Sequence, residues 1–125
     1  VVQPTVLVVE DSASVRRLIE VCLRPLAVTI VPAEDGRVGI HTAFTAPPDA
    51  VVLDIGLPHI DGWEVLRQLR ENPDTASIPV LVLTAHAQPE IQIQAEQGGA
   101  NAFMTKPFGP EDLRLAVKRM LDGDL

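Results

Sequence analysis

Five short apolar runs punctuate the chain, at residues 6–10, 28–31, 50–53, 80–83 and 101–104. Three of them are rich in valine, isoleucine or leucine and show no alternation with polar residues. A strand of that kind is buried on both faces, which predicts a parallel sheet covered by helices. Between the runs, apolar residues return at helical spacing. Ser12 stands where a cap would open a helix over 13–23, with Val15, Leu18, Ile19 and Cys22 as its apolar stripe. A second helix over 34–45 carries Val38, Ile40, Ala43 and Phe44. A third over 61–71 carries Val65, Leu66 and Leu69, and Asn72-Pro73 stops it. A fourth over 89–97 ends at Gly98-Gly99. A fifth over 110–121 carries Leu113, Ala116, Val117 and Met120 and ends at Gly123. The βα unit therefore recurs five times. That order predicts an α/β fold, a doubly wound five-stranded parallel sheet with five helices and right-handed crossovers. Five units are too few for an eight-stranded barrel. Pro47-Pro48 reads as a tight connection, and no linker or repeat interrupts the chain. Residues 1–125 thus read as a single domain with its core over 6–121.

Length and composition agree with this picture. A chain of 125 residues suits one domain, and 46% hydrophobic with 22% charged residues is ordinary globular usage. The formal net charge of −7, with no basic run, argues against direct nucleic-acid binding. No apolar run is long enough to span a bilayer, and the N-terminal residues show no signal-peptide pattern. The single cysteine, Cys22, lies in an apolar stripe, permits no internal disulfide and fits a reducing compartment. The expectation is a cytoplasmic protein without membrane association.

The polar residues that matter gather at strand ends. Glu10-Asp11 ends the first strand, Asp54 the third and Thr84 the fourth, and Lys106 follows the fifth. In a parallel sheet these ends share one edge, where open α/β folds place their ligands. The second strand ends in Pro32-Ala33 and offers nothing comparable. Three carboxylates brought together need a cation or a shared proton. An oxygen-only set suits Mg²⁺, and the absence of a Cys/His cluster argues against zinc. Read singly, Glu10 or Asp11 is a helix cap and its neighbour, and Thr84 a hydroxyl bonded to backbone. Read together with Lys106, a charge clamp for a phosphoryl group, they suggest phosphoryl transfer. Small Ala85 leaves room at the site. The stretch from Asp54 to Gly62 reads as a structured loop in which Asp61 can cap the third helix.

The chain resembles the CheY-like receiver domains of two-component response regulators. The resemblance rests on Val8-Val9-Glu10-Asp11, on Asp54 with Leu57-Pro58 and Asp61-Gly62, on Thr84-Ala85 and on Lys106-Pro107-Phe108. It implies a CheY-like arrangement of the five βα units. It implies Asp54 as phosphoacceptor. Asp11 would be a direct Mg²⁺ ligand, and Glu10 would reach the ion through water. The Gly56 position would supply a backbone carbonyl to the ion. Thr84 and Lys106, with Ala85 beside them, would bind phosphoryl oxygens. Thr84 and Phe103 would form a switch, and the bond before Pro107 would be cis. Gly56 and His86 would flank the site and tune hydrolysis of the acyl phosphate. The implied donor is a histidine kinase or a histidine phosphotransfer protein. The implied output is a change in the face made by helix 4, strand 5 and helix 5, read by an effector. The domain would be a phosphoacceptor rather than an enzyme, with self-phosphorylation from small acyl phosphates and autodephosphorylation.

Some positions depart from the usual pattern. Leu57 stands where methionine is commoner, and Phe103 lacks the hydroxyl of the frequent tyrosine. Asn101-Ala102 replaces the acidic pair of the largest DNA-binding subfamily, and the fourth helix has no basic residue. Rival chemistries fit less well. A dehalogenase-type phosphatase needs a second acid two residues after its nucleophile, where this chain has Gly56. A flavin carrier of the same architecture cradles phosphate in its first loop, where Glu10-Asp11 would repel it. His41 and His59 read as surface residues, Trp63 as packing at the edge of its helix, and Arg16 and Arg17 as a solvated helix face.

Overall fold

The computed structural model describes residues 2–124. Its elements alternate as β1 (Thr5–Val9), α1 (Ala13–Leu23), β2 (Thr29–Ala33), α2 (Gly36–Thr45), β3 (Ala50–Asp54), α3 (Gly62–Glu71), β4 (Val80–Thr84), α4 (Pro89–Gln97), β5 (Ala102–Thr105) and α5 (Pro110–Asp122). A short 3-10 turn, Arg24–Leu26, follows α1. The five strands form one parallel sheet in the order β2-β1-β3-β4-β5.

The three central strands are buried throughout, apart from half-buried Thr5 at the start of β1. Their alternate residues feed two cores. Leu7, Val9, Val51, Leu53, Val80 and Val82 meet Ile40, Ala43, Val65, Leu66 and Leu69 from α2 and α3. Val6, Val8, Val52, Leu81 and Leu83 meet Ile19, Cys22, Leu113, Val117 and Met120 from α1 and α5 on the other face. Each fully buried Val or Leu stabilises the fold by roughly 1.5–3 kcal/mol relative to exposure. The absence of alternation in these strands thus has a direct cause, because both faces are covered.

The helix ends follow local chemistry. Ser12, Asp35 and Asp61 accept hydrogen bonds from the backbone amides of Val15, Val38 and Glu64, capping α1, α2 and α3. Pro89 and Pro110 open α4 and α5. α4 is the most lightly anchored helix, with Ala95 its sole buried residue.

Several boundaries and faces differ from the sequence expectation. β1 starts and stops one residue earlier, which leaves Glu10 just past the strand, its amide still donating to the Ala33 carbonyl at 3.0 Å. β2 starts one residue after the apolar run begins and ends in Pro32-Ala33, as the sequence reading places it. It is an edge strand, and the proline is tolerated there for a geometric reason. Thr29 donates to the Pro4 carbonyl and Ala33 accepts from Glu10, so odd-numbered residues of β2 face β1. Pro32 therefore turns its missing N–H outward. On α1 the stripe is narrower than predicted. Ile19, Cys22 and Leu23 are buried, whereas Leu18 lies on the outer flank at 47% exposure. On α2, Val38 and Phe44 are outside and Gly36 and Gly39 are inside. A Cβ at Gly39 would lie 2.8 Å from a Val9 methyl, so the glycine lets α2 sit directly on β1.

Candidate functional site

Glu10 and Asp11 leave the sheet at the end of β1, and Asp54 is the last residue of β3, the neighbouring strand. One carboxylate oxygen from each lies within 4.8 Å of the other two. Glu10 and Asp54 are buried, and Asp11 is exposed. Lys106, just past β5, reaches across to both buried acids. Its Nζ donates to Glu10 Oε1 at 2.8 Å and lies 3.3 Å from Asp54 Oδ1. A single ammonium thus stands between two buried carboxyls.

The electrostatics follow from that crowding. Burial, reinforced by contact with the Asp54 carboxyl, pushes Glu10 up to about 7 against the pull of Lys106. Burial disfavours the Lys106 ammonium, but its hydrogen bond to Glu10 and the nearby carboxylate charges outweigh this and raise its pKa. The pocket therefore holds more acid than one lysine neutralises, and at neutral pH Glu10 carries a proton part of the time.

The backbone around the acids is pinned. The Asp11 amide donates to Glu10 Oε2 at 3.1 Å, and the Gly56 amide donates to Asp54 Oδ1 at 3.2 Å. The Arg16 guanidinium on α1 donates to the Glu10 carbonyl at 2.7 Å. Arg16 reads in the sequence as a solvated residue. Its place in the first turns of a helix that starts two residues after the acids is the signal that would have found it. Gly62 closes the loop behind Asp54. A Cβ there would stand 2.5 Å from both the Asp54 carbonyl and the Ile55 Cα, so no other residue fits without moving the loop. His59 sits in the left-handed region at φ 65°, which sharpens the same turn.

Thr84 is buried at the end of β4, but its hydroxyl accepts the His86 amide at 3.0 Å and, among the described residues, makes no hydrogen bond to the acids. Ala85 and His86 are exposed just beyond it. Phe103 is half-buried on β5 and packs against the core under α2 and α3, as does Trp63. The Lys106–Pro107 bond is cis. His41 and His59 are exposed, and among the described residues neither belongs to the cluster made by Glu10, Asp11 and Asp54.

The donor set tests the fit of a metal ion directly. All three acids offer oxygen, and the Lys106 ammonium already occupies the place of a cation between two of them. A small hard divalent ion suits such a set.

Comparison with known proteins decides the family. The model of the response regulator receiver domain matches residues 6–118. The chain belongs to the response regulator receiver domain family. Among its relatives is the DNA-binding dual master transcriptional regulator RpaA of Synechocystis, 36% identical over 118 residues, which are 94% of this chain and 49% of the relative. The KDP operon transcriptional regulatory protein KdpE of Escherichia coli is also 36% identical, over 91% of this chain and 51% of its own length. This receiver domain spans about half the length of these curated relatives. The chemotaxis protein CheY4 of Vibrio cholerae superposes with a TM-score of 0.88 at 30% identity, over 95% of this chain and 99% of its own. The receiver domain of the sensor histidine kinase PA1611 of Pseudomonas aeruginosa superposes at 0.87 with 28% identity, over 96% and 98%. That domain was solved with a magnesium ion coordinated in its active site cleft. Receiver domains are phosphoacceptor signalling domains of two-component systems. No helix among the described residues is long and apolar enough to cross a membrane.

Proposed function

We propose that this receiver domain accepts a phosphoryl group on Asp54, beside a Mg²⁺ ion held by Asp11, Asp54, the Gly56 carbonyl and, through water, Glu10. The observation that carries the reading is the Lys106 ammonium shared between the buried carboxyls of Glu10 and Asp54. An Asp54 oxygen attacks phosphorus in line, and the O–P bond forms as the P–N bond of a donor phosphohistidine breaks. The histidine belongs to a histidine kinase or a histidine phosphotransfer protein. When bound, Mg²⁺ neutralises charge between the acids and the incoming phosphoryl oxygens. Lys106 stays on the phosphoryl group and supplies the remaining positive charge.

The same site would use small acyl phosphates and would later release phosphate to water. Gly56 bears on that step, because a Cβ there would meet only Asp54 Oδ1, at 3.9 Å. The position is open, and glycine leaves the acceptor oxygen uncovered. His86, exposed two residues past Thr84, is the second such position. Both tune the lifetime of the acyl phosphate.

The signal follows from Thr84. Its hydroxyl gives up the His86 amide for a phosphoryl oxygen, with the amide of Ala85 close by, and Phe103 moves inward behind it. Taking such a switch from 1:99 to 99:1 needs about 5.5 kcal/mol of differential stabilisation. The face of α4, β5 and α5 then changes for an effector. Ile93 on α4 and Leu115 on α5 are both exposed. Direct contact with nucleic acid forms no part of this reading for a chain of net charge −7. A cytoplasmic setting suits the free Cys22.

Intact mass after incubation with acetyl phosphate and Mg²⁺ tests the assignment. Wild type should gain a single phosphoryl adduct, and Asp54→Asn should gain none. An adduct of undiminished yield in Asp54→Asn would sink it.

A further inference from the structure

The acids of the site do not hold themselves in place. Glu10 and Asp11 lie past the end of β1, and three contacts hold them there, the first being the last bond of the β1–β2 ladder. The Glu10 amide donates to the Ala33 carbonyl at 3.0 Å, and the Asp11 amide donates to Glu10 Oε2 at 3.1 Å. The third contact holds the peptide between them, because its carbonyl oxygen, that of Glu10, accepts Arg16 Nη1 at 2.7 Å. That contact fixes the plane of the peptide from which the Asp11 residue departs. Arg16 is half-buried on α1, at the rim of a groove of about 490 Å³ that also takes in Arg17, Glu20, Arg24 and Ile30. It touches no carboxylate among the described residues, so charge pairing does not explain its position.

We infer that Arg16 is a positioning residue for the divalent-ion site, acting through the Glu10 carbonyl on the direction in which Asp11 points. The inference rests on the reading of the acid cluster as a Mg²⁺ site. Two effects of the guanidinium oppose each other. Its positive charge near the acids weakens cation binding, whereas its grip on the peptide strengthens it. The charge acts partly through solvent and is screened, and the hydrogen bond is direct and charge-assisted. The grip therefore dominates.

Mn²⁺ binding to the unphosphorylated domain, followed by electron paramagnetic resonance, separates the two effects. Arg16→Met should bind Mn²⁺ about 10-fold more weakly, the low end of what partners of metal ligands contribute. Arg16→Lys, which keeps a charged donor, should recover most of the loss. In the acetyl phosphate reaction, the Mg²⁺ concentration for half-maximal rate should rise by the same factor while the rate at saturating Mg²⁺ holds. A purely structural arginine would lower the melting temperature and leave both binding curves where they were, which overturns the inference. Tighter Mn²⁺ binding by Arg16→Met also overturns it, because charge would then be the dominant effect. Should Arg16→Met fail to fold, Arg16→Gln takes its place under the same criteria. Wild-type protein that binds no Mn²⁺ would overturn the Mg²⁺ reading itself, and this inference with it.

Discussion

Two half-buried cations organise this molecule, Arg70 on α3 and Lys106 beyond β5, and they are satisfied in opposite ways. Arg70 spreads its guanidinium over neutral acceptors. Nε and Nη2 donate to the Gly99 carbonyl, Nη1 to those of Ala76 and Ile78, and Nη2 to Asn101 Oδ1. Asn101 Oδ1 also accepts the Val80 amide, so the clasp ties the end of α3 to the start of β4 and to the turn before β5. Lys106 instead faces charge, the carboxyls of Glu10 and Asp54. Burial alone pulls the Arg70 pKa down, whereas the acids raise that of Lys106 in spite of burial. Carbonyl dipoles cannot leave and do not titrate, so the Arg70 clasp is permanent. Carboxylates can accept a proton, a metal ion or a phosphoryl group, so the Lys106 contacts are exchangeable. Arg70 and Lys106 thus differ by partner rather than by burial.

The contrast can be broken at either end. The larger effect belongs to Lys106→Met. Removing one positioned cation from a phosphoryl site should slow uptake from acetyl phosphate by about 10²-fold, and Mg²⁺ should bind severalfold more tightly because its competitor is gone. Phosphoryl gain by mass and Mg²⁺ titration by calorimetry check both signs. Equal uptake would remove Lys106 from the chemistry. Arg70→Ala should do the reverse. It leaves half-buried carbonyls without donors and costs about 1–3 kcal/mol in urea unfolding, while the adduct still forms below the transition. Loss of the adduct in folded Arg70→Ala protein would erase the distinction between the two cations.

The smallest effect is the most diagnostic of shared charge. Glu10 holds its proton up to about 7 in the folded domain, against 4.5 for an ordinary glutamate. The folded state therefore binds more protons than the unfolded state between these values. The contribution of Glu10 to stability is complete below pH 4.5 and is lost as pH rises through about 7. Glu10→Gln imitates the protonated form at every pH. Its stability relative to wild type should grow from pH 5 to pH 8 in the absence of divalent ions. A constant difference would mean that Glu10 is charged throughout.

Much of this was legible in the residues. The central strands show themselves because Val6 to Val9, Val51 to Leu53 and Val80 to Leu83 are buried on both faces. The caps Ser12 and Asp61 are local signals, as is the grouping of Glu10, Asp11, Asp54 and Lys106 at strand ends. Edge strand β2 was harder to bound, since half-exposed residues and Pro32 carry no burial pattern. Leu18 was misplaced because a stripe on α1 can be drawn through it as well as past it. Arg70 shows no more than surface charge in the sequence, and Arg16 is marked only by its place early in the helix that follows the acids. Their partners are chiefly backbone carbonyls, which every residue possesses, so residue type does little to announce the contact.

Pro32 has one more consequence. A sheet that is not closed carries two open borders, each a template on which a foreign strand can be laid down. Here one border is β5, only four residues long. On the other, β2 presents to solvent a position with no amide hydrogen, so an incoming strand finds a gap in the row of donors it must read. The residue least like a strand former thus interrupts the donor row on that border, at no cost to the bonds that hold β2 to β1.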